Sequence, residues 1–178
     1  MRINPPRILN PPRVLALDLS MTATGVAEPD GTLTTLRPCA KGDRRLDEIA
    51  AHTAALCGRW GIDFAVLEDL PTHARAAGIV GMVHGAARVT LLVAGVPYLT
   101  VPPATLKTYA TGRGNAPKPD LRMALYKRTG LDVADDNQVD AAWLRLLALD
   151  LAGNPELELP QTHRRALAKL ALPATVAA

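Results

Sequence analysis

Two runs of four residues, Val14-Leu15-Ala16-Leu17 and Phe64-Ala65-Val66-Leu67, carry no polar side chain, and each stops at a carboxylate, Asp18 and Glu68. A strand with one wet face alternates apolar and polar side chains. An unbroken apolar run of this length belongs to a strand covered on both faces. Such strands need helices on either side of the sheet, which sets the class as α/β. Tyr98-Leu99-Thr100-Val101, closed by Pro102-Pro103, predicts a third short buried strand. Asp30-Gly31, between residues 24–28 and 32–36, is a hairpin signal. The first three strands therefore form an antiparallel meander, and the expected sheet is mixed and five-stranded.

Helical spacing supplies the cover. Leu46, Ile49, Thr53, Leu56 and Trp60 recur on one side of residues 43–60, and Gly61 follows as a stop. Residues 74–94 predict a long apolar helix. The most apolar stretch of the chain, Ile79 to Val96, is broken by His84 and Arg88, which suits a buried helix better than a membrane span. Residues 107–122 read as a basic loop bearing Gly112 and Gly114, leading into a helix at about 119–129. A further helix spans 136–151, and an amphipathic segment about 160–171 ends the chain. The expected organisation is a proline-bearing flexible leader (1–12), one domain (13–152) and a C-terminal helical extension (153–178). A chain of 178 residues has length for one such domain. With aromatics at 3%, the core must come from Ala, Leu, Val and Ile. Cys39 and Cys57 lack any paired spacing, which argues against a zinc site or disulfide frame and suits a reducing cytoplasm. The net charge of +3 permits a polyanionic partner without demanding one.

The acids carry the chemistry. If the two apolar strands are parallel neighbours, Asp18 and Glu68 meet at the carboxyl edge of the sheet, where α/β proteins place ligands. Taken singly, each reads better as a turn or cap residue; the two together point to a site. A third cluster is Asp135-Asp136-Asn137-Gln138-Val139-Asp140. A helix beginning near Asp136 puts Asp136 and Asp140 on one face, where like charges repel unless a cation joins them. Capping explains Asp135 and Asp136 but leaves Asp140, a turn further in, without a role. Clustered carboxylates with no His or Cys partner suit Mg²⁺ or Mn²⁺. Two such ions about 4 Å apart activate a water and stabilise the leaving oxygen of a phosphodiester.

Four segments in order resemble one family. VLALDLSMTATGVA is similar to the opening strand and turn of the RuvC-type Holliday junction resolvases, VLEDLP to the strand bearing their glutamate, VPPATLKTYATGRGNAPKPDL to their basic segment, and DDNQVDAAWLRLLALD to their last acidic motif. The wording ATGRGNAPK leans toward phage-type versions. The resemblance covers about residues 14–151. It implies a ribonuclease H-like fold, a homodimer, and Mg²⁺-dependent cutting of opposed strands of a four-way DNA junction, with two ions per active site. Asp18, Glu68 and Asp140 carry over as catalytic metal ligands. The family's remaining acid falls at Asn137, which adds a carbonyl oxygen but no charge. Asp136, one residue earlier, is the preferred substitute.

Lys107, Arg113, Lys118 and Arg122 would then neutralise phosphates, with Gly112 and Gly114 admitting the backbone close to DNA. On charge alone a solvated loop is as good a reading. Ser20 and Thr22 are expected to close the turn after Asp18. His52 and His84 are expected at surface or core positions, and His73 at a helix start. Three rivals stay open: an ATP-binding fold of the actin type, disfavoured because it needs two domains; a DNA-binding module without catalysis, kept alive by Asn137; and a nuclease of the same superfamily acting on flaps or RNA–DNA hybrids.

Overall fold

The computed structural model describes residues 11–70, 77–174 and 176. Most of the expected leader, the start of the 74–94 helix and His73 lie outside the described residues. The strands are β1 (Val14–Asp18), β2 (Thr24–Ala27), β3 (Leu33–Leu36), β4 (Phe64–Glu68) and β5 (Tyr98–Val101). They form one mixed sheet in the order β3-β2-β1-β4-β5. β1, β2 and β3 are the antiparallel meander, and β1, β4 and β5 run parallel.

Both apolar runs are covered on two sides. Side chains alternate across a strand, so Leu15, Leu17, Ala65 and Leu67 face one layer, and Val14, Ala16, Phe64 and Val66 the other. The first layer is α1 (Arg44–Trp60) with α2 (Ala77–Val93), packed through Ile49, Leu56, Val83, Ala87 and Leu91. α1 ends where Gly61, at φ 57°, donates its N–H to the Cys57 carbonyl.

The second layer is α3 (Pro103–Thr111), α4 (Lys118–Thr129) and α5 (Asp136–Leu151). Eleven of the sixteen residues of α5 are buried. A helix apolar nearly all round is one enclosed on every side. α5 lies against β1 and β2, with α3, α4 and the C-terminal segment over its back.

α3 corrects the expectation of a loop beginning at 107. Pro103 opens this helix and Gly112, at φ 80°, closes it on the Thr108 carbonyl. That proline-first, glycine-last signature was present in the sequence. Lys107 therefore sits on a helix. The C-terminal stretch holds one helical turn, α6 (Gln161–Arg164), and a 3₁₀ turn (Leu167–Lys169) rather than one continuous amphipathic helix.

That stretch is pinned by a buried acid. The Asp150 carboxylate, fully buried, accepts from Arg164 at 2.7 and 3.1 Å and from the Tyr109 hydroxyl at 3.2 Å. Removing the guanidinium orphans a charge out of water. Arg164→Ala should therefore cost about 2 kcal/mol, moderated because Arg164 is half in solvent. In a chain of this size that lowers the melting temperature by about 4–8 °C. An unchanged melting curve would show that the pair is ornamental.

Candidate active site

The parity that buries Val14 and Ala16 also aims Asp18 at the α5 side, and the same parity in β4 aims Glu68 there. Leu17 pairs with Leu67 across the parallel ladder, so the two acids emerge side by side at the carboxyl edge. Asp140, buried on the second turn of α5, meets them from above. Asp18, Glu68 and Asp140 each offer a carboxylate oxygen, and these oxygens lie within 4.8 Å of one another. The three residues picked from sequence spacing therefore converge.

The start of α5 is fixed by a cap at Asp135, a position the sequence offered for it, and by cross-sheet contacts that sequence reasoning missed. Asp135 caps the helix, its Oδ1 accepting from the Asn137 N–H at 3.0 Å and from the Asn137 side-chain amide at 2.9 Å. Its Oδ2 accepts from Arg37 at 2.6 Å and Thr35 at 2.9 Å, both from the β3 end of the sheet. Gln138 donates to the same Thr35 hydroxyl at 3.0 Å. Despite desolvation, these donors bring the Asp135 carboxyl down to about 2. Gly25, paired with Asp18 on β2, completes the clamp: a Cβ there would fall 2.0 Å from the Asn137 carbonyl oxygen. A glycine inside a strand is a signal of close backbone approach, and it was legible in Thr24-Gly25-Val26. The Arg37–Asp135 bridge spans 98 residues and had no sequence signal.

The other candidates separate. Asp136 is half exposed, with Lys118 Nζ at 3.7 Å from its carboxylate and 4.0 Å from that of Asp140. Asn137 spends its amide on the Asp135 cap. Lys107 acts on Asp140 by its charge. Arg113 is ion-paired to Asp120, and Arg122 to Asp132 at 2.8 Å. Gly112 and Gly114 answer to the chain's own packing. The first ends α3, and a Cβ on the second would lie 3.2 Å from the Ala104 carbonyl oxygen. Ser20 closes its turn with Thr22 and Thr24. His84 is buried in α2.

Burial, then the Asp140 charge, pushes the Asp18 carboxyl up; burial, then the charges of Asp18 and Asp140, does the same to Glu68. Burial raises Asp140 to about 6, against the pull of Lys118. Groups whose folded pKa lies above the unfolded value hold their stabilising proton below about pH 4 and lose it as the pH climbs through the folded value. The metal-free protein should therefore lose stability between about pH 5 and 8, and Asp140→Asn should flatten that slope. Melting curves in a chelating buffer test this; stability that rises over the same interval would contradict it. Three crowded acids without His or Cys suit a hard cation. The residues present thus fit a divalent metal.

No family model matches the chain. Over 116 residues it is 29% identical to the crossover junction endodeoxyribonuclease RuvC of Rhodopirellula baltica, covering 62% of this chain and 65% of that protein, so it spans just under two thirds of that relative. Thermus thermophilus RuvC in complex with a Holliday junction substrate superposes with a TM-score of 0.63 at 21% identity, covering 75% of this chain and 90% of the other. A second T. thermophilus RuvC structure gives 0.61 at 20% identity, covering 82% and 99%. The fold is ribonuclease H-like, with its acids at the sheet edge. Within that fold, the chain is similar in sequence and in structure to RuvC proteins.

Proposed function

We propose that the chain is a metal-dependent endodeoxyribonuclease that resolves four-way DNA junctions by paired nicks. The observation that carries this reading is the convergence of Asp18, Glu68 and Asp140 within 4.8 Å, on a fold whose T. thermophilus counterpart holds a Holliday junction. Mg²⁺ or Mn²⁺, at two ions per centre, would supply water activation and charge compensation for phosphodiester hydrolysis. Asp18, Glu68 and Asp140 provide the oxygen ligands, and Asp136, already on the same helix face, provides the fourth. Asn137 donates its side-chain N–H to Asp135, and its carbonyl oxygen would add no charge, so the carboxylate of Asp136 is preferred. Lys118 balances the acids in the free protein and is placed to turn to the scissile phosphate. Lys107, Arg113 and Arg122 bind phosphates along the strand, a salt-sensitive contribution. Asp120 and Asp132 hold the two arginines ready in the free protein.

Paired nicks need two centres, hence a homodimer. α2 supports this: Ile79, Met82, Val89, Leu92 and Val93 stand exposed along it, at the three- and four-residue spacing of a helix–helix seam. Leu92→Glu should turn a dimer into a monomer by light scattering and abolish paired nicking; an unchanged mass would remove α2 from the interface. No helix among the described residues is long and apolar enough to cross a membrane, and the proposed place of action is the cytoplasm.

The substrate class is tested with a four-way junction labelled on each strand in turn, beside a flap and an RNA–DNA hybrid. Symmetric nicks on opposed junction strands are expected. Cutting of the flap or hybrid in preference to the junction would move the protein to another branch of the superfamily.

A further inference from the structure

The chain holds two tryptophans, three tyrosines and one phenylalanine. Phe64, Tyr109 and Trp143 are in the core. Trp60 donates to Glu28, and Tyr98 lies under the Arg88 guanidinium. Tyr126 is different: its residue is 52% exposed, on a helix that runs out from the acidic centre. α4 buries Leu121 and Leu125. Its outer side carries Lys118, Arg122 and Tyr126, four residues apart, so each lies about 6 Å further along the axis and about 40° further round. The stripe starts at Lys118 against Asp136 and Asp140 and turns outward to Tyr126. Half-exposed Met123 adjoins it. Pro119, Arg122, Met123, Tyr126 and Asp132 line a groove of about 420 Å³, within the volume range of small-molecule sites.

Two cations followed by an aromatic ring and a polarisable thioether form a surface for single-stranded nucleic acid. The cations take successive phosphates, and the ring takes a base whatever its identity. The bases of a duplex are stacked on one another, whereas a strand leaving a branch point can present one unpaired. An apolar protein partner fits less well, because docking would bury Arg122 and Asp132 along with Met123.

We propose that this face of α4 is a single-strand track, in which Lys118 and Arg122 hold phosphates of the strand leaving the acidic centre and an unpaired nucleobase stacks on Tyr126. The inference rests on reading the chain as a nuclease of branched DNA. The test uses wild type, Tyr126→Phe and Tyr126→Leu in a chelating buffer. The probes are a four-way junction with 2-aminopurine beside the crossover and a single-stranded oligonucleotide carrying the same base. Wild type and Tyr126→Phe should quench the 2-aminopurine, while Tyr126→Leu loses the quench and binds the oligonucleotide about tenfold more weakly. Quenching and affinity retained in Tyr126→Leu overturn the track. So does a Tyr126→Leu protein that changes its oligomeric state while binding the oligonucleotide as wild type. If the wild type quenches as expected and Tyr126→Leu does not, yet Mg²⁺ brings no junction cutting, the track stands and the nuclease reading fails. If the junction is cut and Tyr126→Leu changes neither probe, the track fails and the nuclease reading stands.

Discussion

Asp18→Asn should reduce junction cleavage by about 10³-fold or more while leaving the junction bound. One electrostatic contributor to a transition state typically carries about 10²–10³, and a larger loss is expected for Asp18, because it lies with Glu68 and Asp140 and its loss would break the cation site proposed for all three. The same change should make the metal-free protein more stable at about pH 8. The amide removes one member of a buried group of like charges whose repulsion and desolvation raise every pKa in the set. A gain of about 1 kcal/mol corresponds to about 2–4 °C in melting temperature. Activity lost together with stability would point to a folding defect, whereas activity lost with stability gained marks a site where function is kept at the expense of stability. Cleavage within about tenfold of wild type would remove Asp18 from the chemistry.

Gly25→Ala should be nearly as damaging, although Gly25 bears no functional group. Its added methyl would fall 2.0 Å from the Asn137 carbonyl oxygen and 3.0 Å from the Asn137 Cβ. Both are parts of a helix turn held in place by the Asp135 cap and the Arg37 bridge. Neither neighbour is the free end of a side chain, so the first turn of α5 must move away from β2, carrying Asp140 from Asp18 and Glu68. A displacement of about 1 Å at a reacting centre can cost about 10²-fold in rate. The expected result is a turnover defect of that order with junction affinity retained, together with weaker binding of Mn²⁺. Full activity in a folded Gly25→Ala protein would mean that α5 is not positioned by this contact.

The two acids at strand ends were legible because a buried parallel strand announces itself as an unbroken apolar run, and the residue after the run inherits a fixed direction. Asp140 was legible because capping explains charges in the first turn of a helix and not beyond it. The fourth position was not resolvable in this way. Asp136 and Asn137 are adjacent, and their fates depend on Asp135, whose partners Thr35 and Arg37 lie about a hundred residues earlier in the chain. The α3 helix was obscured by Lys107 and by the glycines and basic residues that follow it, which suggested a loop. Those glycines serve a helix end and a tight packing contact. The pairing of Arg113 with Asp120 and of Arg122 with Asp132 was not legible, because charge counting does not show which acids sit within reach.

Whether the three carboxylates at one sheet edge form a metal-dependent centre for cutting branched DNA is tested most directly by single-turnover cleavage. The protein is incubated with a labelled four-way junction and a matching linear duplex, across a Mg²⁺ titration and in a chelator. Cleavage of the junction only is predicted, in paired symmetric positions, rising from nothing with Mg²⁺. Junction binding that survives with no cleavage in either Mg²⁺ or Mn²⁺ would contradict this and leave a DNA-binding module.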